Sequence, residues 1–276
     1  MRNMFDRRIG RGILFAGVLV HAQWVDHPDP STPRTKDGKP NLTAAAPRLN
    51  GKPDLTGVWQ AERAPLSEYI KVLGQEVVDL QVDIQLASVQ TGSVFWGVKP
   101  EDEPLTPEGA AVLKQHLSLI GPPVTHCLPV GMPGVIVIYA FKIVQSPREI
   151  VILPEHVDPP RQIYLDGRSL PKNPDPTWNG YSVGKWQGGT LVVETIGFND
   201  KPWLDYLGNP RSEQMHMTER YRRRDFGHID YEITFEDPKY YTRPFGFKTV
   251  LNLLPDTDVL EYVCAENERD NAHLPR

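Results

Sequence analysis

Residues 215–236 read Met-His-Met-Thr-Glu-Arg-Tyr-Arg-Arg-Arg-Asp-Phe-Gly-His-Ile-Asp-Tyr-Glu-Ile-Thr-Phe-Glu. In the second half, Ile229, Tyr231, Ile233 and Phe235 alternate with Asp230, Glu232, Thr234 and Glu236. Alternation of that kind puts one set of side chains on each face of a β-strand. The first half alternates too: Met215, Met217, Glu219 and Tyr221 share a face against His216, Thr218, Arg220, Arg222 and Arg224. Asp225-Phe226-Gly227 joins the two halves as a tight turn, with glycine supplying the positive φ. If the methionines of the first strand point inward, Glu219 points inward with them. A buried carboxylate needs a partner or a raised pKa, which makes Glu219 a candidate for function.

The same period of two runs outward from this hairpin. It predicts strands at Leu55–Gln60, Val135–Gln145, Glu149–Pro154, Arg161–Leu165, Tyr181–Trp186, Thr190–Gly197, Phe245–Leu254 and Val259–Ala265. With the two above, that makes about ten. Gln187-Gly188-Gly189 marks a second tight hairpin. Many short sequential strands favour an antiparallel meander that closes into a barrel, because closure removes exposed edges. Helical spacing occurs between residues 66 and 120. Leu66, Ile70, Leu73, Val77 and Leu80 recur at helical intervals, and Thr106-Pro107-Glu108 carries a hydroxyl cap, a proline and an acid, the signature of a helix start. The expected fold is mainly β, with this small helical insertion after the first strand.

The bulk numbers agree with such a fold. The chain has 276 residues, 39% hydrophobic and 24% charged, the balance of an ordinary globular protein. Its 27 prolines and 22 glycines suit many turns better than long helices. The formal charge of −5 speaks against a nucleic-acid binder, which needs a basic face.

Residues 1–22 read as a secretory signal. Arg2, Arg7, Arg8 and Arg11 precede the apolar run Gly12 to Val20, and Val20-His21-Ala22 offers a cleavage site. The run is too short to span a bilayer, which takes about 20 residues, so no membrane association is expected beyond the signal. Removing residues 1–22 takes away four arginines and Asp6, leaving 26 basic and 34 acidic residues, a net of −8. The expected compartment is the periplasm or the exterior. There, Cys127 and Cys264 most simply form a disulfide, the alternative being two separate buried thiols. His126 and Cys127 are adjacent and converge poorly on one ion, so no metal site is expected. Residues 23–50 form an extended lead carrying Pro28, Pro30, Pro33, Pro40 and Pro47. Within it, Asp37-Gly-Lys-Pro-Asn-Leu-Thr43 foreshadows Asn50-Gly-Lys-Pro-Asp-Leu-Thr56. The second copy reads as the start of the folded region 51–276, and the first as a duplicate that does not pack.

Gly57-Val58-Trp59, at the start of the first predicted strand, resembles the G-x-W signature of the lipocalins, in which the tryptophan plugs one end of the barrel. The resemblance implies a calycin-like barrel with a ligand-sized interior. More of the chain is similar to a group of uncharacterised exported proteins of soil bacteria. The stretches that carry this are Pro53-Asp-Leu-Thr-Gly-Val-Trp59, Phe141-Lys-Ile-Val-Gln145, Arg161-Gln-Ile-Tyr-Leu-Asp-Gly-Arg168, Gly180-Tyr-Ser-Val-Gly184, Thr190-Leu-Val-Val-Glu-Thr195, Gly197-Phe-Asn-Asp200 and Glu219-Arg-Tyr-Arg-Arg223. It supports fold and export and implies no activity.

No G-x-S-x-G elbow, H-E-x-x-H pair, phosphate loop or dinucleotide fingerprint occurs, which speaks against the enzymes built on them. Cofactor-free acid–base chemistry would leave no such motif. His156 lies in the loop Pro154–Pro160 and Asp200 in a loop long enough to be a lid; with Glu219 they form a candidate acid–base set. Tyr164, Tyr181, Trp203, Tyr221 and Tyr231 would suit the lining of a site for a small hydrophobic or aromatic molecule. Plainer roles compete: a solvated loop histidine, carboxylates that cap turns, and a Glu219 paired with an arginine of a neighbouring strand. Two functions remain open. One is a lyase, isomerase or cyclase needing no cofactor; the other is a non-catalytic, lipocalin-like carrier of the same kind of molecule. Oligomeric state leaves no trace in the sequence.

Overall fold

A computed structural model describes residues 27–65, 67, 70, 88–119 and 121–264. The expected signal segment and most of the helix expected over 66–80 lie outside the described residues. The chain folds into a closed barrel of nine strands: β3 (Gly57–Ala61), β4 (Phe141–Gln145), β5 (Glu149–Pro154), β6 (Arg161–Tyr164), β7 (Tyr181–Gln187), β8 (Thr190–Ile196), β9 (His216–Arg223), β10 (His228–Glu236) and β11 (Phe245–Leu253). They stand in chain order around the barrel, and β11 closes it onto β3 through Leu251↔Ala61 and Leu253↔Trp59. Before them, β1 (Arg48–Leu49) and β2 (Lys52–Pro53) make a small hairpin. Short helices α1 (Val89–Gly92), α2 (Pro107–His116) and α3 (Gly134–Val137) fall between β3 and β4. Among the described residues, no helix is long and apolar enough to cross a membrane.

The expected calycin-like barrel is therefore present, with three local differences. All neighbours are antiparallel except β6 and β7, paired in parallel through Ile163↔Ser182. Parallel neighbours need a connection that crosses back, and residues 165–180 make it. Val135 to Val137 form a helical turn instead of a strand. Ile136 and its neighbours are buried on all sides, and such an apolar run does not tell a core helix from a core strand. Val259–Cys264 pairs with no strand, so the barrel has nine strands and not about ten.

Strand register separates the two ends of the barrel. At one end lie the short turns 146–148, 188–189 and 224–227. At the other lie the connections 62–140, 155–160, 197–215 and 237–244, while 165–180 crosses from the first end to the second. We call these the turn end and the loop end. Loops held by a rigid scaffold are the usual place for function. Helix α2 belongs to the loop end and starts as its cap predicts, with Thr106 Oγ1 accepting from the Gly109 N–H at 3.0 Å.

The turn end is plugged. Trp59 is fully buried, and its indole N–H donates to the Leu55 carbonyl at 2.9 Å. The Arg223 guanidinium lies 4.9 Å from that ring's centroid and donates to the carbonyls of Thr56, Asp225 and Phe226. Gly57 has φ +147°, and a Cβ there would stand 2.6 Å from Leu253 Cδ1; a glycine is needed for both reasons. The lead wraps over this end, where Gly227 and Phe226 donate to the carbonyls of Leu42 and Ala44. The first copy of the short echo therefore packs after all: Leu42 lies against the core.

Candidate functional site

Inward positions of the strands fill the barrel with side chains, among them Phe141, Ile152, Val193, Met217, Ile233 and Leu251. At this strand number an interior is just wide enough to be filled by side chains or to hold one small ligand. One polar cluster sits in the middle of it. Glu219 on β9 is 0% exposed and Arg161 on β6 is 1% exposed. Arg161 Nη1 donates to Glu219 Oε1 at 3.0 Å, and Nη2 donates to Oε2. The hydroxyls of Tyr221 and Tyr231 donate to the same Oε1 at 2.7 and 2.9 Å. Arg161 also donates to Ser182 Oγ and Thr195 Oγ1, at 3.1 and 3.0 Å, and its Nη1 lies 3.5 Å from Met132 Sδ.

Such a pair costs free energy to bury unless its remaining donors and acceptors are also matched. Here they are. Burial, and then the charge of Glu219, hold both tyrosines well above the usual phenol range. Burial alone would lower the Arg161 pKa, but the charge and hydrogen bonds of Glu219 outweigh it and raise it. Both phenols stay donors and the guanidinium stays charged. The cluster is closed and engaged on every side, and the arginine that Glu219 meets comes from β6 across the barrel, not from the neighbouring β8 or β10 as expected.

Met132 ties this cluster to the loop end, since its carbonyl accepts from Arg211 Nη1 at 3.2 Å. Arg211 is buried in the 197–215 loop and donates further to the carbonyls of Asn199 and Trp178, at 3.0 and 2.8 Å. Burial pushes its guanidinium down to about 9, against the opposing charges of Asp158 and Asp200. Asp158 accepts from the Gly131 N–H at 2.7 Å and lies 3.4 Å from His156 Nδ1. The imidazole of His156 is stacked between two phenol rings. Tyr139 lies at 4.7 Å and 16°, and Tyr262 at 5.3 Å and 17°. The His156 side chain is 8% exposed, whereas Tyr262 is 47% exposed.

His156 and Asp200 thus belong to one neighbourhood around Arg211 and Asp158. Glu219 lies apart from them, behind Met132 in the interior. Tyr221 and Tyr231 are interior residues of the Glu219 cluster. Tyr164 and Tyr181 are on the outer wall, where Arg168 lies over one ring at 3.8 Å and donates to the hydroxyl of the other; they do not line the interior. Trp203 is at the loop end, stacked on His116 at 4.7 Å. Beside it Asp205 is buried and accepts from Val94 N and Asn209 Nδ2 at 2.8 and 2.7 Å. Burial pushes its carboxyl up to about 6 against those hydrogen bonds. The adjoining cleft, lined by Pro122, Pro129, Trp203 and Tyr206, holds about 30 Å³, room for about two waters.

Sequence reasoning missed Arg161, Arg211, Tyr139 and Tyr262 as site residues. A signal existed for Arg161, because it shares a strand face with Ile163. None existed for Arg211, since loops have no period. Tyr262 was assigned to a strand that does not form. The expected disulfide is present: Cys127 and Cys264 are joined with Cα atoms 5.6 Å apart. It ties the C-terminal segment to the loop end, two residues after the ring that covers His156.

Comparison with known protein families, with characterised proteins and with solved structures returned no match, so the site is read from its own geometry.

Proposed function

We propose that this protein binds a small hydrophobic or aromatic molecule at the loop end of its barrel, and that the His156–Asp158 pair is the acid–base group available to it there. The observation that carries this reading is the imidazole held between parallel phenol rings, with Nδ1 facing a carboxylate that a backbone N–H orients. A base steered by a second group, itself fixed in place, is the arrangement proton transfer needs. The flat, apolar walls of the stack suit an aromatic ring. Asp200 and Trp203 belong to the same end and complete the polar and aromatic rim. Glu219 is the scaffold beneath the site.

A non-catalytic carrier is the second reading. It is favoured by the full engagement of Glu219, Arg161, Tyr221 and Tyr231 with one another, which leaves no acid–base group free in the middle of the barrel. In either case the setting is an exported one. The Cys127–Cys264 disulfide supports it, since such bonds persist in oxidising compartments.

Native mass spectrometry of the protein purified from its own host tests the proposal. The wild type is expected to carry extra mass that denaturation releases, and His156→Ala to carry little or none. Equal retention by both proteins would place the ligand elsewhere and refute the reading.

A further inference from the structure

The C-terminal segment takes an unusual path. It leaves β11 at the turn end, where the Leu254 N–H donates to the Val58 carbonyl. It then runs along the outside of the barrel across β4, pinned by Lys142 Nζ donating to both oxygens of Asp258 at 2.9 and 2.7 Å. It reaches the loop end, with Tyr262 on His156 and Cys264 bonded to Cys127. Among the described residues, 260–264 make no backbone hydrogen bond. Among the described residues, what holds this stretch is a ring stack and a disulfide.

The two faces of the imidazole are not equivalent. Tyr139, just before β4, belongs to the barrel. Tyr262 is on the strap, nearly half exposed, with Val263 beside it 52% exposed. A half-exposed phenol lying flat on a shielded imidazole covers the area that a planar ring arriving from solvent would take. The stack is weak enough to open. Aromatic pairs shift an equilibrium by about two- to tenfold beyond the area they bury, and residues 259–264 belong to no strand.

We propose that Tyr262 is a built-in stand-in for the ligand: the strap lifts to let a planar aromatic ring, a phenol or a fused bicycle, stack on His156 in its place, and the Cys127–Cys264 bond keeps the lifted strap tethered. This rests on the loop-end site proposed above and names the class of molecule it takes. The disulfide also sets the resting state, because it holds the local concentration of the Tyr262 ring high at His156. Reduction lowers that concentration and uncovers the imidazole.

Two measurements on the intact chain test this separately. The first is the rate at which diethyl pyrocarbonate modifies His156, read by peptide mass. Tyr262→Ala and reduction of the wild type are each expected to raise it by about fivefold, the equilibrium effect of one lost aromatic pair. Tyr262→Phe, which keeps the ring, is expected to match the wild type. An unchanged rate in Tyr262→Ala overturns the stand-in, whatever the ligand is. The second follows the His156 ring resonances during titration with 4-methylphenol and 2-naphthol. Binding that tightens by about fivefold in Tyr262→Ala supports competition for the same face; equal affinity in both proteins overturns it. A faster modification rate with no binding of either probe overturns the aromatic ligand and leaves the strap's covering role standing.

Discussion

Replacing Glu219 by glutamine keeps the side chain's shape and removes the charge that Arg161 faces. The guanidinium, 1% exposed and 3.0 Å from its partner, is then left charged in a buried interior. Breaking a buried pair from one side typically costs about 3–5 kcal/mol. Ser182, Thr195 and the two tyrosine hydroxyls cannot supply the missing negative charge, so we expect a value near the upper part of that range. Urea unfolding followed by tryptophan fluorescence reads this directly: with a slope of roughly 2–3 kcal/mol per molar, the midpoint should fall by about 1–2 M. Arg161→Met should cost a similar amount, because it leaves the carboxylate buried alone. The double variant should cost far less than the two together, with a coupling of about 2–3 kcal/mol. Additive losses, or a Glu219→Gln midpoint within about 0.2 M of the wild type, would refute the account of a closed and mutually dependent cluster. The same proteins test the division of labour, since Glu219→Gln that is folded at low temperature should still retain its ligand.

Three further outcomes are expected. The folded Asp205 carboxyl titrates at about 6, above its ordinary value of 3.8, so its contribution to stability is full below about pH 4 and is lost as pH rises through 6. Relative to Asp205→Asn, the wild type should lose about 2–2.5 kcal/mol between pH 4 and pH 7.5; parallel pH profiles of unfolding would rule this out. Opening the disulfide, which spans 137 residues, should cost up to about 5 kcal/mol by the chain-entropy argument, measured as the midpoint shift of Cys127→Ser/Cys264→Ser; a shift near zero would mean that the reduced unfolded chain stays compact. Gly57→Ala meets both the Leu253 clash and an unfavourable φ, and should cost about 2–3 kcal/mol by thermal unfolding; a neutral result would mean that β3 and β11 shift apart freely.

Alternation in the sequence was enough to place residues 215–236 as a hairpin and to turn Glu219 inward. A strand's period of two leaves no other choice once Met217, Ile233 and Phe235 must be buried. The turns and the cap at Thr106 were legible for equally local reasons, and the pairing of the two cysteines from their number and the expected compartment. Partnerships across the barrel were not. Arg161 lies 58 residues before Glu219, and nothing local to either says that closing nine strands brings them face to face. The parallel step between β6 and β7 depends on where residues 165–180 run, a matter of packing that no period encodes. The loop end was the least legible of all. His156 and Asp200 could be named as residue types able to do chemistry, but Arg211, Tyr139 and Tyr262 come from segments without regular pattern. Only the closed barrel, with four of its connections gathered at one end and residues 254–264 tied there by Cys264, makes neighbours of them.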